Sequence, residues 1–310
     1  MERKVKRSTF LKYSLALAAG AGITASGGFL SKAAAWAKDP LNHPMPTRPL
    51  GKTGHNVGLF SLGGQATLER PGRKDDAIEI INRALDLGVN YIDTANMYGN
   101  GVSEEYIGEV MKDRRNEVFL ATKSHDYTYD GTMRRFEESL HRLQTNYIDL
   151  YQHHYVGGHG KLERLGQKKS ARDAFRELKE QGVIRFTGVT GHSSKILSDA
   201  IEAHPYDCAL ITLNAAGAVM DNPEHLDRFF RLTAQKEMGV IAMKVMGGGG
   251  LLSRGYKPAD LLNYVLSYPV STAIVGISII PHLEDNVRTA KSFRQLSDDE
   301  LERIRMSAQS

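Results

Sequence analysis

Asp75-Asp76-Ala77-Ile78-Glu79-Ile80-Ile81-Asn82-Arg83-Ala84-Leu85-Asp86-Leu87-Gly88, followed at once by Val89-Asn90-Tyr91-Ile92-Asp93-Thr94, is the stretch that decides the fold. In its first part Ile78, Ile81, Ala84 and Leu85 share one face at the helical period, and Gly88 supplies the stop. In its second part a short apolar run reads as a buried strand. Helix, glycine, strand is the repeating phrase of a parallel sheet.

Outward from this stretch the phrase recurs. Apolar runs, mostly β-branched or aromatic, occupy 57–62, 91–94, 118–122, 147–152, 186–190, 209–213, 240–245 and 273–277. Helical periodicity occupies 75–87, 103–112, 132–143, 171–181, 194–203, 224–237, 258–266 and 282–290, and 296–306 reads as one extra C-terminal helix. Eight strand–helix units with right-handed crossovers predict an α/β fold closed into a (β/α)8 TIM barrel. The rival is a doubly wound open sheet, disfavoured because no Gly-x-Gly-x-x-Gly follows the first strand. Residues 48–57, with Gly51-Lys52-Thr53-Gly54 at the turn, predict an N-terminal β-hairpin.

With 310 residues, 41% hydrophobic and 25% charged, the chain can bury a large core. Its single cysteine, Cys208, excludes an internal disulfide framework and any cysteine-based metal site. The net charge of +4 is concentrated at the start: residues 1–37 hold Arg3, Lys4, Lys6, Arg7, Lys12 and Lys32 against Glu2 alone. The remainder is near neutral, so no nucleic-acid partner is expected.

Residues 1–37 read as an export signal: a basic start to Lys12, a weakly apolar stretch over 13–30, and Ala35-Trp36-Ala37 as an Ala-x-Ala cleavage site before Lys38. The stretch is too rich in glycine and alanine for a membrane span of about 20 strongly apolar residues. Arg7-Ser8-Thr9-Phe10-Leu11-Lys12 resembles the twin-arginine export motif, with Ser8 in place of the second arginine. Recognition by export machinery and a periplasmic location follow from this reading. A plain N-terminal extension or an uncleaved membrane anchor is the alternative, and would leave the protein cytoplasmic or membrane-anchored. Residues 38–47 read as a Pro-rich tether and 48–310 as the barrel domain.

Residues at the carboxyl ends of barrel strands converge on one face, where catalysis is expected. Asp93 lies near the end of the second strand, Tyr98 in the loop after it, Lys123 at the end of the third and His154 at the end of the fourth. Singly, each has a structural reading: a turn former, a packed ring, a solvated charge. Together they make a tuned general acid. The Lys123 ammonium is expected to lower the Tyr98 phenol, Asp93 to keep Lys123 charged, and His154 to orient a carbonyl and share the proton. His153 is expected to point outward, because adjacent strand side chains diverge.

The hairpin Arg48-Pro49-Leu50-Gly51-Lys52-Thr53-Gly54 begins a series of specific motifs. It continues in Asn90-Tyr91-Ile92-Asp93-Thr94-Ala95 with Tyr98-Gly99, in Ala121-Thr122-Lys123, and in Ile148-Asp149-Leu150-Tyr151-Gln152 with His154. In order and spacing these resemble the aldo-keto reductase family over about residues 48–295. The resemblance implies a barrel that reduces a small-molecule carbonyl with NAD(P)H and no metal, using Asp93, Tyr98, Lys123 and His154. An exported nicotinamide enzyme would fold around its cofactor before translocation, which suits the twin-arginine route.

The resemblance also places the cofactor. Gly63 and Gly64 follow the first strand. Thr190 and Gly191 stand in Gly188-Val189-Thr190-Gly191-His192, where Gly191 replaces the family's amide. Asn214 matches the family's asparagine, while Leu210 replaces its glutamine. Met243 stands for the aromatic platform, with Lys244, Met246 and Gly247 towards the pyrophosphate. Gly276, Ser278, His282, Asp285 and Asn286 fall on the adenosine-binding stretch. NADP is the expected cofactor, with NAD open because Ser278 replaces the arginine that grips a 2′-phosphate.

These departures leave a second reading, a non-catalytic nicotinamide-binding barrel acting as sensor or partner subunit. A metal-dependent barrel hydrolase is disfavoured by the lack of clustered ligands. The substrate loops are expected at 65–73, 126–130 and 155–167. The basic residues Lys161, Arg164, Lys168 and Lys169 ordinarily read as a solvated surface; a small anionic carbonyl compound is the alternative they leave open. Nothing in the sequence specifies an oligomeric state.

Overall fold

The computed structural model describes residues 39–217 and 224–309; the export segment read at 1–37 lies outside them. Two short strands, β1 (Thr47–Pro49) and β2 (Asn56–Gly58), pair antiparallel into the expected hairpin. Eight parallel strands then close a barrel: β3 (Phe60–Ala66), β4 (Tyr91–Asp93), β5 (Phe119–Ser124), β6 (Ile148–His153), β7 (Ile184–Gly191), β8 (Cys208–Thr212), β9 (Gly239–Met243) and β10 (Thr272–Ile277). Neighbours follow chain order, and β10 pairs with β3 to seal the ring. The open-sheet alternative is thereby excluded.

The packing follows the sequence pattern. The helix Lys74–Asp86 buries Ala77, Ile80, Ile81, Ala84 and Leu85 against the strands, with Ile78 at the edge of that face rather than within it. Each fully buried isoleucine or leucine stabilises the fold by roughly 1.5–3 kcal/mol. Helix starts are fixed locally. The Thr128 hydroxyl accepts from Gly131 N–H at 3.1 Å, Ser170 and Asp173 form a capping box, and Ser193 accepts from Ile196 N–H at 3.1 Å. Aliphatic and aromatic side chains fill the space between strands and helices.

A second core lies inside the barrel, where Leu50 and Val57 of the hairpin segment join Tyr91, Phe119, Leu150, Ile241 and Ile274. The hairpin therefore plugs the amino-terminal end. Its turn passes so close to β9 that a Cβ on Gly51 would lie 2.3 Å from the Gly239 nitrogen, and Gly51 also takes φ 53°. No other residue fits there. The Asn90 side chain ties the hairpin down, accepting from Gly58 N–H and donating to the Asn56 carbonyl, both at 2.9 Å.

Two sequence expectations need correction. The run 57–62 is not one strand: Val57 pairs with Arg48 in the hairpin, and the barrel strand starts at Phe60 and continues through Gly63 and Gly64. Residues 155–167 are not all loop, because His159–Gly166 forms a helix. Of the Pro-rich stretch, residues from Asp39 lie against the barrel: Met45 is buried, and the Leu41 carbonyl accepts from Lys291 Nζ at 2.7 Å.

Candidate active site

At the carboxyl end of the barrel Asp93, Tyr98, Lys123 and His154 come together. Lys123 on β5 forms an ion pair with Asp93 on β4, each leaving only 1% of its side chain exposed. A second donor of the ammonium reaches the Thr94 carbonyl at 2.7 Å. The other carboxylate oxygen of Asp93 accepts from Gln152 Nε2 at 3.0 Å. Lys123 Nζ also lies 5.0 Å from the centroid of the Tyr98 ring. The Tyr98 and His154 rings meet edge to face at 5.7 Å.

The charges follow from these contacts. Burial alone would lower the Lys123 ammonium, but the Asp93 charge and Tyr98 reverse this and place it above its ordinary value. Burial raises the Asp93 carboxyl against the pull of Lys123. Tyr98 departs from expectation: burial raises its phenol, and although Lys123 pulls it down, the net direction is upward. The ammonium does pull the phenol down, but desolvation outweighs it. Burial, then the like charge of Lys123, lowers His154 to about 3, so its imidazole is neutral at physiological pH. His154 Nδ1 is buried with no hydrogen-bond partner among the described residues. His153 faces the other way, stacked on Phe175 at 3.9 Å.

Tyr98, Lys123 and His154 open onto a cavity of about 270 Å³, with Asp93 buried behind Lys123; its other walls include Gln65, Glu69, Met97, Tyr155, Thr190, His192, Met243 and Lys244. Thr190, Met243 and Lys244 were expected here. Thr190 Oγ1 is occupied, accepting from Tyr155 N–H at 2.8 Å. Lys244 has left-handed backbone (φ 58°), and its ammonium donates to Gln65 Oε1 at 3.0 Å, across the mouth rather than towards the glycine run. Asn214 is buried beside it and donates to the Lys244 carbonyl at 3.2 Å.

The remaining expected cofactor residues lie elsewhere. Gly63 sits in register between Gly276 and Asp93. Gly64 touches the outer layer, where an added Cβ would lie 2.6 Å from Ser103 Oγ. Gly191 is buried at the end of β7, and Met246 is buried in the outer core. Gly247 starts a tight turn, Gly247–Gly249. Gly276 is exposed at the mouth, and the Ser278 carbonyl accepts from Thr67 Oγ1 at 2.8 Å. On the helix Ile280–Lys291, His282 and Asp285 are exposed, and Asp285 pairs with Arg288 at 3.0 Å.

A dinucleotide fits what this region leaves open. Asn286 is buried and donates to the His282 carbonyl at 2.6 Å, but its Oδ1 has no partner among the described residues. The helix it belongs to has no side-chain cap at its N-terminus, a setting that favours phosphate. Gln152 and His192 were missed as site residues, while Gln65 opens the expected substrate loop 65–73. Gln152 lay within a recognised motif two residues from His154, and the alternation that turned His153 outward also turns Gln152 inward. His192 carried no signal of its own.

The sequence pattern of the aldo/keto reductase family matches residues 56–263. The uncharacterized oxidoreductase YqkF of Bacillus subtilis is 27% identical over 84% of this chain and 95% of its own. L-galactose dehydrogenase of Arabidopsis thaliana is 26% identical over 82% of this chain and 90% of its own. An aldo-keto reductase from Klebsiella pneumoniae, solved in complex with NADPH, superposes with a TM-score of 0.69 at 23% identity, over 86% of this chain and 96% of that one.

Proposed function

Since the chain belongs to the aldo/keto reductase family, whose members are NAD(P)H-dependent oxidoreductases, we propose that it reduces an aldehyde or ketone to the alcohol with Tyr98 as the proton donor. The observation that carries this reading is the buried Lys123–Asp93 pair lying against the Tyr98 ring, beside His154, at the floor of a cavity. When bound, a reduced nicotinamide supplies hydride to the carbonyl carbon.

The protein's own part is proton management. A phenol raised by burial keeps its proton at neutral pH until charge develops on the carbonyl oxygen. Tyr98 then donates, and the ammonium of Lys123 stabilises the phenolate left behind. Asp93, itself held by Gln152, prevents Lys123 from turning away or losing its charge. His154, neutral down to about pH 3, orients the carbonyl by a hydrogen bond and adds no competing charge.

NADPH is the proposed reductant, supported by the NADPH bound in the Klebsiella relative. Thr190, Asn214, Met243 and Lys244 would hold the nicotinamide half, and Gly247, Gly276, Ser278, Asp285 and Asn286 the adenosine half. NADH is the second reading, favoured by Ser278 where the family has an arginine. Export by residues 1–37 belongs to the proposal as well, supported by their basic, apolar and Ala-x-Ala order.

Tyr98→Phe tests the central claim. Turnover of an aldehyde panel should fall by about 10²–10⁴, while fluorescence titration still detects nicotinamide binding. Undiminished turnover would remove Tyr98 from its role. Tight cofactor binding by the wild type with no turnover of any aldehyde would favour the non-catalytic reading.

A further inference from the structure

The lip of the cavity carries positive charge that proton transfer does not use. Tyr155, next to His154, has left-handed backbone at φ 58°, which a bulky aromatic residue adopts only where its surroundings impose it. Here its N–H donates to Thr190 Oγ1, and its carbonyl accepts from Tyr127 Oη at 3.0 Å and from Lys161 Nζ at 3.2 Å. The Lys161 ammonium also lies over the Tyr155 ring, 4.2 Å from its centroid. The helix His159–Gly166 thus holds Lys161 against Tyr155, a wall of the cavity, and Arg164 from the same helix covers the Tyr127 ring at 5.1 Å.

Neither cation forms an ion pair with a carboxylate among the described residues. The carboxylates around the mouth are engaged elsewhere. Glu69 accepts from Gln65, whose other end accepts from Lys244, and Asp126 accepts from the backbone and hydroxyl of Thr128. Lys161, seated on the Tyr155 ring and close enough for its charge to act on His154, and Arg164, seated on the Tyr127 ring, leave a place for an anion brought by the substrate.

Resting on the carbonyl-reductase reading above, we propose that the substrate is an aldehyde or ketone carrying a carboxylate or phosphate group. Lys161 anchors that group, Tyr155 is the platform that fixes the anchor, and Arg164 strengthens the field. The placement also sets the direction of entry, with the anion held at the rim and the carbonyl descending to Tyr98 and His154.

The test compares kcat/KM for 4-oxobutanoate against butanal, and for D-glyceraldehyde 3-phosphate against D-glyceraldehyde, in the wild type and in Lys161→Met. The wild type should prefer the anionic member of at least one pair, and the pair with the larger preference identifies carboxylate or phosphate. Lys161→Met should cut the anionic-to-neutral ratio about fivefold, and added salt should shrink the wild-type preference. Turnover of the neutral aldehydes without preference for their anionic partners overturns the proposal and leaves carbonyl reduction standing. A wild-type preference that Lys161→Met does not change overturns the assignment of the anchor. Should none of the four be reduced, calorimetric titration with 4-hydroxybutanoate decides: binding weakened by Lys161→Met supports the anion site, and no binding removes it.

Discussion

Part of the acid sensitivity should be traceable to His153, a buried imidazole that the site does not use; His154, lowered likewise, contributes a share of its own. Burial, then the charges of His204 and Arg172, lower the His153 imidazole from 6.5 to about 3, and both of its ring nitrogens lack hydrogen-bond partners among the described residues. The folded protein therefore keeps it neutral, whereas the unfolded chain takes up a proton below about pH 6.5. Stability from this group is complete above that value and is lost as pH falls from 6.5 towards 3, by ~1.4 kcal/mol per pH unit. At pH 5 the loss is about 2 kcal/mol. His153→Leu removes the group while keeping an apolar side chain against Phe175. Urea unfolding of both proteins at pH 7.5 and pH 5.0 isolates the effect, because every other titrating group is common to both. The variant should lose about 2 kcal/mol less than the wild type on acidification. Parallel losses in the two proteins would refute the reasoning, since His153 would then be protonated or rehydrated within the fold.

Two further outcomes are expected. Ser278→Arg should restore a partner for a 2′-phosphate and tighten NADPH binding relative to NADH by about tenfold, read from fluorescence titrations with both; equal affinity changes for the two cofactors would place the 2′-phosphate elsewhere. Expressed from its first residue in a bacterium with a twin-arginine pathway, the protein should appear in the periplasmic fraction, and replacing Arg7 by Gln should return it to the cytoplasm. An unchanged distribution would reject the export reading of residues 1–37.

The barrel was legible because burial imposes two simple periods on the chain. Helices such as Lys74–Asp86 repeat apolar residues every three or four positions, and strands such as Ile148–His153 are buried along their whole length. Asp93, Lys123 and His154 were legible because strand ends converge in any such barrel. The boundary at Val57 was hidden, since an apolar residue serves a hairpin plug as well as a strand. The raised Tyr98 phenol was hidden for another reason: a neighbouring cation can be inferred from order along the chain, but the loss of solvent that opposes it depends on how many elements close over the ring. The course of Lys244 follows from a left-handed backbone that no residue pattern announces.

The seam between β10 and β3 has a consequence for how the protein matures. The strand that seals the ring is the last to leave the ribosome, and it pairs with the first barrel strand through Ala273 to Phe60 and Gly276 to Gly63. Until that pairing forms, the mouth has no eighth wall and the residues of the adenosine half have nowhere to stand. Competence therefore waits on closure of the ring. A dinucleotide lying across the seam would fasten the first and last barrel strands together, so a bound cofactor would hold the ring shut.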